Sequence, residues 1–325
     1  MKAWICENPV GVEALEWKDV PTPEPKAGEV RVAVRAASLN FPDLLIVQNK
    51  YQVKPPLPFV PGAEFAGTVD AVGEGVSHLK LGDPVAAIGV SGGFATHACV
   101  NAQQVMRLPP GFKLEDGAAF AFTYGTSHHA LIDRGQLKAG ETVLVLGAAG
   151  GVGTSAVQIA KAAGARVIAG VSSDEKAALC REIGADETLN YATENVRDRL
   201  KALTGGKGPD VVYDAVGGDL AEPVFRSIAW RGRYLVVGFA GGGIPALPWN
   251  LALLKGASVV GVFWGEFIKR EPQAYAKALA ELATWYGQGK VKPVIDSRIP
   301  MRSLKEAYAR MGTRQVRGKL LLVND

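Results

Sequence analysis

Seven residues between Leu146 and Thr154, Gly-Ala-Ala-Gly-Gly-Val-Gly, have the spacing to hold a pyrophosphate. Val143–Leu146 before them reads as a strand core, and Ala156–Ala163 after them reads as a helix. Aligned on G-x-G-x-x-G, the cluster is Ala148-x-Gly150-x-x-Gly153, with alanine at the first glycine position. Gly150 lets the backbone come close to a diphosphate, and Gly153 lets the helix lie tight against the strand. The helix start supplies N–H donors and partial positive charge. The candidate binding turn is therefore Ala148, Gly150, Gly151, Val152 and Gly153. A plain strand-to-helix turn could use the same letters. What favours a dinucleotide is the context, a strand before the cluster and a helix and second strand ("RVIAGV") after it.

The end of that second strand bears on which dinucleotide. An NAD site usually places Asp or Glu there, about 20 residues after the glycines, for the ribose 2′-hydroxyl. Here the strand runs into Gly170, Ser172 and Ser173, with Lys176 a short turn later. Small polar groups and a lysine suit a 2′-phosphate better than a diol. Asp174 and Glu175 fit the first turn of the next helix, where acids favour the dipole. A solvated helix lysine remains the other reading of Lys176.

A metal centre is not expected. The chain has three cysteines, Cys6, Cys99 and Cys180, widely spaced and odd in number, which suits a reducing compartment. The four histidines are His78, His97, His128 and His129. Adjacent helix residues point about 100° apart, so His128 and His129 cannot chelate one ion together. They read as helix residues, and His78 and His97 as isolated surface or loop positions. No three-ligand spacing remains.

These residues sit in a chain of 325, 48% hydrophobic and 21% charged, with 36 basic against 32 acidic residues. The net +4 is small and dispersed, so nucleic acid is not an expected partner. No apolar run reaches the ~20 residues that span a bilayer, and "MKAWICENPV" has no signal core. The expected location is the cytoplasm.

Residues 1–124 are expected to be β-rich: "EVRVAVRAAS" alternates, "FAGTVDAVG" and "GDPVAAIG" are short apolar runs, and Gly/Pro breaks are frequent. Over residues 125–266, apolar strands ("TVLVLG", "RVIAGV", "DVVYDAV", "RYLVVGF", "SVVGVF") alternate with helical stretches, predicting βαβ units on a parallel sheet. Residues 267–325 open on an amphipathic helix and are expected to return to the first domain.

Several stretches together carry a family resemblance: Ala148–Ala165, "LNFPDLLIVQNKY" (Leu39–Tyr51), "PGAEFAGTVDAVGEGV" (Pro61–Val76), "GDPV", "WRGRYLVVGFAGG" and "NLALLKGASVVGVFWG". The chain resembles the medium-chain dehydrogenase/reductase superfamily. Within it, the pattern is similar to the zinc-free quinone oxidoreductase branch that includes zeta-crystallin, and there to the quinone oxidoreductase-like protein 2 group. The resemblance spans essentially the whole chain. It implies an α/β fold: a doubly wound Rossmann domain plus a β-rich GroES-like catalytic domain, with NADPH in the cleft between them. Ser172, Lys176, Tyr191 and Arg314 fall where relatives bind the 2′-phosphate. Ser172 stands where a close relative has glycine, so its contact could be a backbone one. Asn40 and Thr126 match positions near the nicotinamide, and Phe239 and Phe263 follow strands whose ends line the cofactor cleft. Tyr191 and Arg314 also have bland readings, as a core aromatic and a surface arginine. Zinc-dependent relatives carry cysteine at the Asn40 position and histidine at Ala63, followed by a glutamate that is kept as Glu64.

A site without metal limits the chemistry. Reducing a simple carbonyl makes an alkoxide of parent pKa ~16, whereas a quinone gives a phenolate-type oxygen of pKa ~10. The ~6-unit difference is on the order of 8 kcal/mol that the protein need not stabilise. The expectation is NADPH-dependent, metal-independent hydride transfer to a quinone. Asn40 would orient the acceptor oxygen or the nicotinamide ribose, and Tyr51 would stack on or hydrogen-bond the acceptor, or else pack its loop. Asp43 would fix that loop, and Trp264 would close the pocket or pack the core. Two alternatives stay open: a reductase of activated C=C bonds (enals, enones, acrylyl or enoyl thioesters), and an NADPH-binding structural or RNA-binding protein. The apolar strand Ser258–Phe263, expected at a sheet edge, predicts a homodimer.

Overall fold

The computed structural model describes residues 1–324. They form two units, Met1–Phe122 with the stretch from Pro293 onward, and Thr123–Lys292. The expected boundary at residue 267 is thus found at 293, and helix Pro272–Gly287 belongs to the second unit. That helix has the amphipathic pattern expected of it; its partners lie among unit 2's own helices, where His128 Nε2 meets Glu281 Oε2 at 2.8 Å.

The first unit is built round one long strand, Glu29–Ser38. Val30, Val32 and Val34 alternate into the core as a period-2 pattern requires. One edge of this strand pairs antiparallel with Glu64–Val72 along its length. Its other edge is shared: residues 29–33 pair with strand His97–Asn101, and residues 36–38 with strand Lys319–Val323. The sheet continues through Pro84–Ile88 and Val105–Arg107 on one side and Ile295–Pro300 on the other. The C-terminal strand is therefore seated beside the end of the central one. Leu320, Leu321 and Leu322 are at most 1% exposed, which shows why an apolar run at residues 320–323 joins this core. From Ser38 the chain passes through Leu39 and Asn40 into the short helix Phe41–Val47.

The second unit is a six-stranded, wholly parallel sheet in the order Glu187–Asn190, Arg166–Val171, Thr142–Leu146, Val211–Asp214, Arg233–Val236, Ser258–Gly261. This is the doubly wound order, with its switch point between Thr142–Leu146 and Val211–Asp214. Val143–Leu146 are fully buried, as expected of a central strand covered on both faces. Ser258–Gly261 lies at the edge, and Val259 is 43% exposed. Among the described residues no helix is long and apolar enough to cross a membrane.

Candidate active site

At the C-terminal end of Thr142–Leu146, Gly147 turns the chain with φ +66° and helix Gly151–Ala162 begins, capped by Gly150. The first intrahelical bond runs from the Thr154 N–H to the Gly150 carbonyl at 2.8 Å. The N–H groups of Gly151, Val152 and Gly153 precede that ladder, as anion-binding donors do. A Cβ on Gly153 would lie 2.1 Å from the Gly147 carbonyl oxygen, so only glycine fits there. On Gly150 it would meet nothing closer than 3.4 Å, so that position is open for a ligand's approach. Ala148 is fully buried, and its N–H bonds to the Gly170 carbonyl at 3.1 Å, so the methyl at the first glycine position is accommodated.

A set of buried hydroxyls anchors this turn, and no spacing in the sequence points to it. Ser127 Oγ lies 2.8 Å from Ser155 Oγ and 2.9 Å from Tyr213 Oη, and donates to the Val152 carbonyl at 2.9 Å. Serines and a tyrosine from three elements thus tie the helix start to its neighbours, satisfying groups that would be costly to bury alone. Thr126, 8% exposed, is next to Ser127 on helix Ala121–His128.

The 2′-phosphate candidates of this unit converge at the ends of two adjacent strands. Asn190 is in register with Val171, and the Tyr191 N–H bonds to the Val171 carbonyl at 3.0 Å. Ser173 caps helix Asp174–Glu182. Lys176 Nζ donates to Ser172 Oγ at 3.0 Å, and partial burial pulls its pKa down. Asp174 accepts from Asn190 Nδ2 at 3.0 Å, which places that acid at the helix start. Phe239 and Phe263 follow the strands Arg233–Val236 and Ser258–Gly261 at the same end of the sheet. Phe239 packs on Gly217, where a Cβ would meet its ring at 2.8 Å, and Phe263 is 50% exposed. Arg314 belongs to the first unit, in a left-handed turn (φ +57°) after helix Leu304–Gly312. Trp264 is 6% exposed and packs over Gly125 and Tyr275, so in this unit it is a core residue.

In the first unit Asn40 sits in a buried polar cluster. Three neighbouring strands build it. Ser38 is directly opposite Glu64, and continuing the Leu321–Ser38 register puts Lys319 beside Asn40. Alternation then turns Ser38, Asn40, Glu64 and Lys319 to one face. Glu64 Oε2 accepts from Ser38 Oγ at 2.5 Å, Asn40 Nδ2 at 3.2 Å and Lys319 Nζ at 3.4 Å, while Oε1 accepts from the Phe122 N–H at 2.8 Å. Lys319 Nζ also donates to Asn40 Oδ1. Burial pushes the Lys319 pKa down, against the opposing pull of Glu64 and Asp43.

Asp43 does fix the loop, as its place in the sequence suggested. It accepts from the Asn40 N–H at 2.8 Å and the Ala63 N–H at 3.1 Å, joining the ends of two strands. Burial raises its pKa from 3.8 to about 7, although those N–H groups and Lys319 favour the carboxylate. Tyr51 is half-buried against the same core, and burial and then the Asp43 charge raise its pKa.

The donors at this cluster do not fit zinc. Ala63 offers no side-chain ligand, and the Asn40 oxygen and Glu64 already share an ammonium. Among the described residues no group of three or more His, Cys, Asp or Glu is placed to hold a metal ion. The histidines are dispersed: His128 is paired with Glu281, His129 stacks on Phe267 at 4.0 Å, and His78 Nε2 lies 3.1 Å from the Ala102 carbonyl. His97 is on a strand rather than a loop, 3.5 Å from Asp70.

Residues 26–110 match the alcohol dehydrogenase GroES-like domain, and residues 151–284 match the zinc-binding dehydrogenase family. A quinone oxidoreductase-like protein 2 homolog of Nematostella vectensis is 39% identical over 324 residues, 99% of this chain and 88% of that protein. Among solved structures, the quinone oxidoreductase of Thermus thermophilus superposes with TM-score 0.86 at 34% identity, covering all of both chains. That of Escherichia coli, complexed with NADPH, gives TM-score 0.91 at 29% identity over all of both chains. The chain belongs to the medium-chain dehydrogenase/reductase superfamily, among the quinone oxidoreductase-like proteins.

Proposed function

We propose that the chain is an NADPH-dependent reductase of quinones that works without a metal. The observation that carries this reading is the sheet end of the second unit. There the open Gly150 turn lies beside the switch point, and the Ser172–Lys176 pair and Tyr191 follow the next two strands at the same end of the sheet, in a fold whose similar structures include NADPH complexes. Bound NADPH would supply the hydride, from C4 of its nicotinamide.

The protein's residues bind and orient. The Gly151, Val152 and Gly153 N–H groups would hold the pyrophosphate, with Ala148 and Gly150 shaping the turn. Ser172, Lys176, Tyr191 and Arg314 would bind the 2′-phosphate. Thr126, Phe239 and Phe263 would serve the nicotinamide, and Asn40 and Tyr51 the acceptor. With its pKa raised by burial and by Asp43, Tyr51 stays protonated at neutral pH and meets an acceptor oxygen as a hydrogen-bond donor. No side-chain metal ligand stands at residue 63, and the cation of the cluster is an ammonium, which suits an acceptor that carries its own negative charge well. The homodimer remains part of this reading, supported by the exposed edge at Val259 and the exposed Trp249 and Leu253 nearby in sequence.

Lys176→Ala tests the cofactor assignment. A charge-assisted bond to phosphate is worth ~1.5–3 kcal/mol before discounting for solvent. Fluorescence titration should show NADPH binding weakened about tenfold, with NADH nearly unchanged. Equal losses for both would place Lys176 in the fold rather than on the phosphate.

A further inference from the structure

Among the described residues, Lys319 is the one lysine whose ammonium is held in a buried polar cluster beside a candidate acceptor residue, and the functional assignment so far leaves it without a task. Its side chain is 4% exposed, Asn40 is 5% exposed, and Ser38 and Glu64 are fully buried. An ammonium can only donate and a carboxylate can only accept. The Asn40 carboxamide between them therefore has one permitted orientation, oxygen toward Lys319 and nitrogen toward Glu64. Lys319 Nζ lies nearer to the Asn40 oxygen than to Glu64 Oε2, at 3.4 Å, so its main contact is the amide and not the carboxylate. The Asn40 nitrogen is held loosely, at 3.2 Å from Glu64, 3.3 Å from Ser38 Oγ and 3.5 Å from the Ser38 carbonyl. The oxygen end thus has the closest contact of the amide, and the NH2 end is held by longer ones.

We propose that Lys319 is a positioning residue for the reduction: by anchoring the Asn40 oxygen, it makes the amide meet the acceptor only as a donor. This rests on the placement of Asn40 at the acceptor in the reading above. Once both the ammonium and the Glu64 carboxylate are removed, the carboxamide can flip and turn its oxygen toward the acceptor oxygen, opposing the charge that develops there. Glu64 balances the ammonium and takes the second contact of the amide. The same pair explains why this cluster has no need of a metal ion: the ammonium bridges residues 40 and 64, two of the positions that the zinc-dependent pattern uses.

The test needs a variant that folds. Lys319→Met alone leaves Glu64 buried and uncompensated, so the double variant Glu64→Gln with Lys319→Met removes both charges at nearly constant volume. In protein labelled with 15N-asparagine, the Asn40 side-chain NH2 pair, identified by its loss in Asn40→Asp, should be sharp in the parent. It should shift or broaden in the double variant. With 1,4-benzoquinone, kcat should fall at least tenfold while the fluorescence-measured NADPH Kd stays within twofold. Adding Asn40→Ala to the double variant should cost almost nothing more, because the residues act as one unit. Lys319→Arg should recover part of kcat. An unmoved NH2 pair, or losses that multiply independently with Asn40→Ala, overturns the inference. A parent protein that binds NADPH and does not reduce the quinone overturns the functional reading instead, and the amide resonance still reports on Lys319.

Discussion

Asp43→Asn gives the most quantitative check on the buried cluster. Asp43 is 2% exposed, and its folded-state pKa is about 7 against 3.8 in an open chain. Burial outweighs the Asn40 N–H, Lys319 and the Ala63 N–H, all of which favour the charged form. Between those two pH values the folded protein binds a proton that the unfolded chain has lost. Stability from this group is therefore fully present below pH ~4 and is lost as pH rises through ~7. A shift of about 3 units at ~1.4 kcal/mol each makes the loss on the order of 4 kcal/mol. Asparagine cannot titrate, so the difference in unfolding free energy, parent minus variant, should fall by about that amount between pH 4 and pH 8. Urea unfolding followed by circular dichroism measures the difference, and the 13C shift of the Asp43 carboxyl measures the pKa directly. A difference that is flat with pH would mean that Lys319 and the N–H donors cancel burial. One that rises would mean that they outweigh it, and that the cluster has the opposite charge logic.

Gly153→Ala places a Cβ 2.1 Å from the Gly147 oxygen, so helix Gly151–Ala162 must move off the strand. NADPH affinity should fall about tenfold, on the order of the loss of one charge-assisted bond, and an unchanged Kd in fluorescence titration would sever the turn from the cofactor. Light scattering at micromolar concentration should show a dimer in the parent. Val259→Glu, on the 43% exposed edge residue, should give monomers, whereas a monomeric parent would leave the edge without a partner.

The parts of the fold that were legible in the sequence are those with a period. The alternation of Glu29–Ser38 and the apolar runs from Thr142–Leu146 to Ser258–Gly261 announced a β-rich unit and a parallel sheet, because burial on one face or both imposes those patterns. The glycine turn was legible because the Gly153 position has no room for any other side chain. Lys319 was not legible. It is 279 positions from Asn40 in the chain, at the start of an apolar strand, and only the register of three strands brings the two together. The Ser127–Ser155–Tyr213 hydroxyl set was hidden for the same reason, since single polar residues on separate elements carry no spacing signal. The boundary near residue 267 was misplaced because an amphipathic helix shows that it has a buried face and not which unit buries it.

The central claim is that this chain reduces acceptors that carry their own charge, with NADPH and without a metal. The direct measurement is NADPH oxidation after exhaustive chelation, with 1,4-benzoquinone, a conjugated enone, an enoyl thioester and a saturated aldehyde compared at equal concentrations. The account predicts the fastest turnover with the quinone, slower turnover with the enone and hardly any with the aldehyde. Efficient reduction of the saturated aldehyde, or fast thioester reduction with negligible quinone turnover, would contradict it.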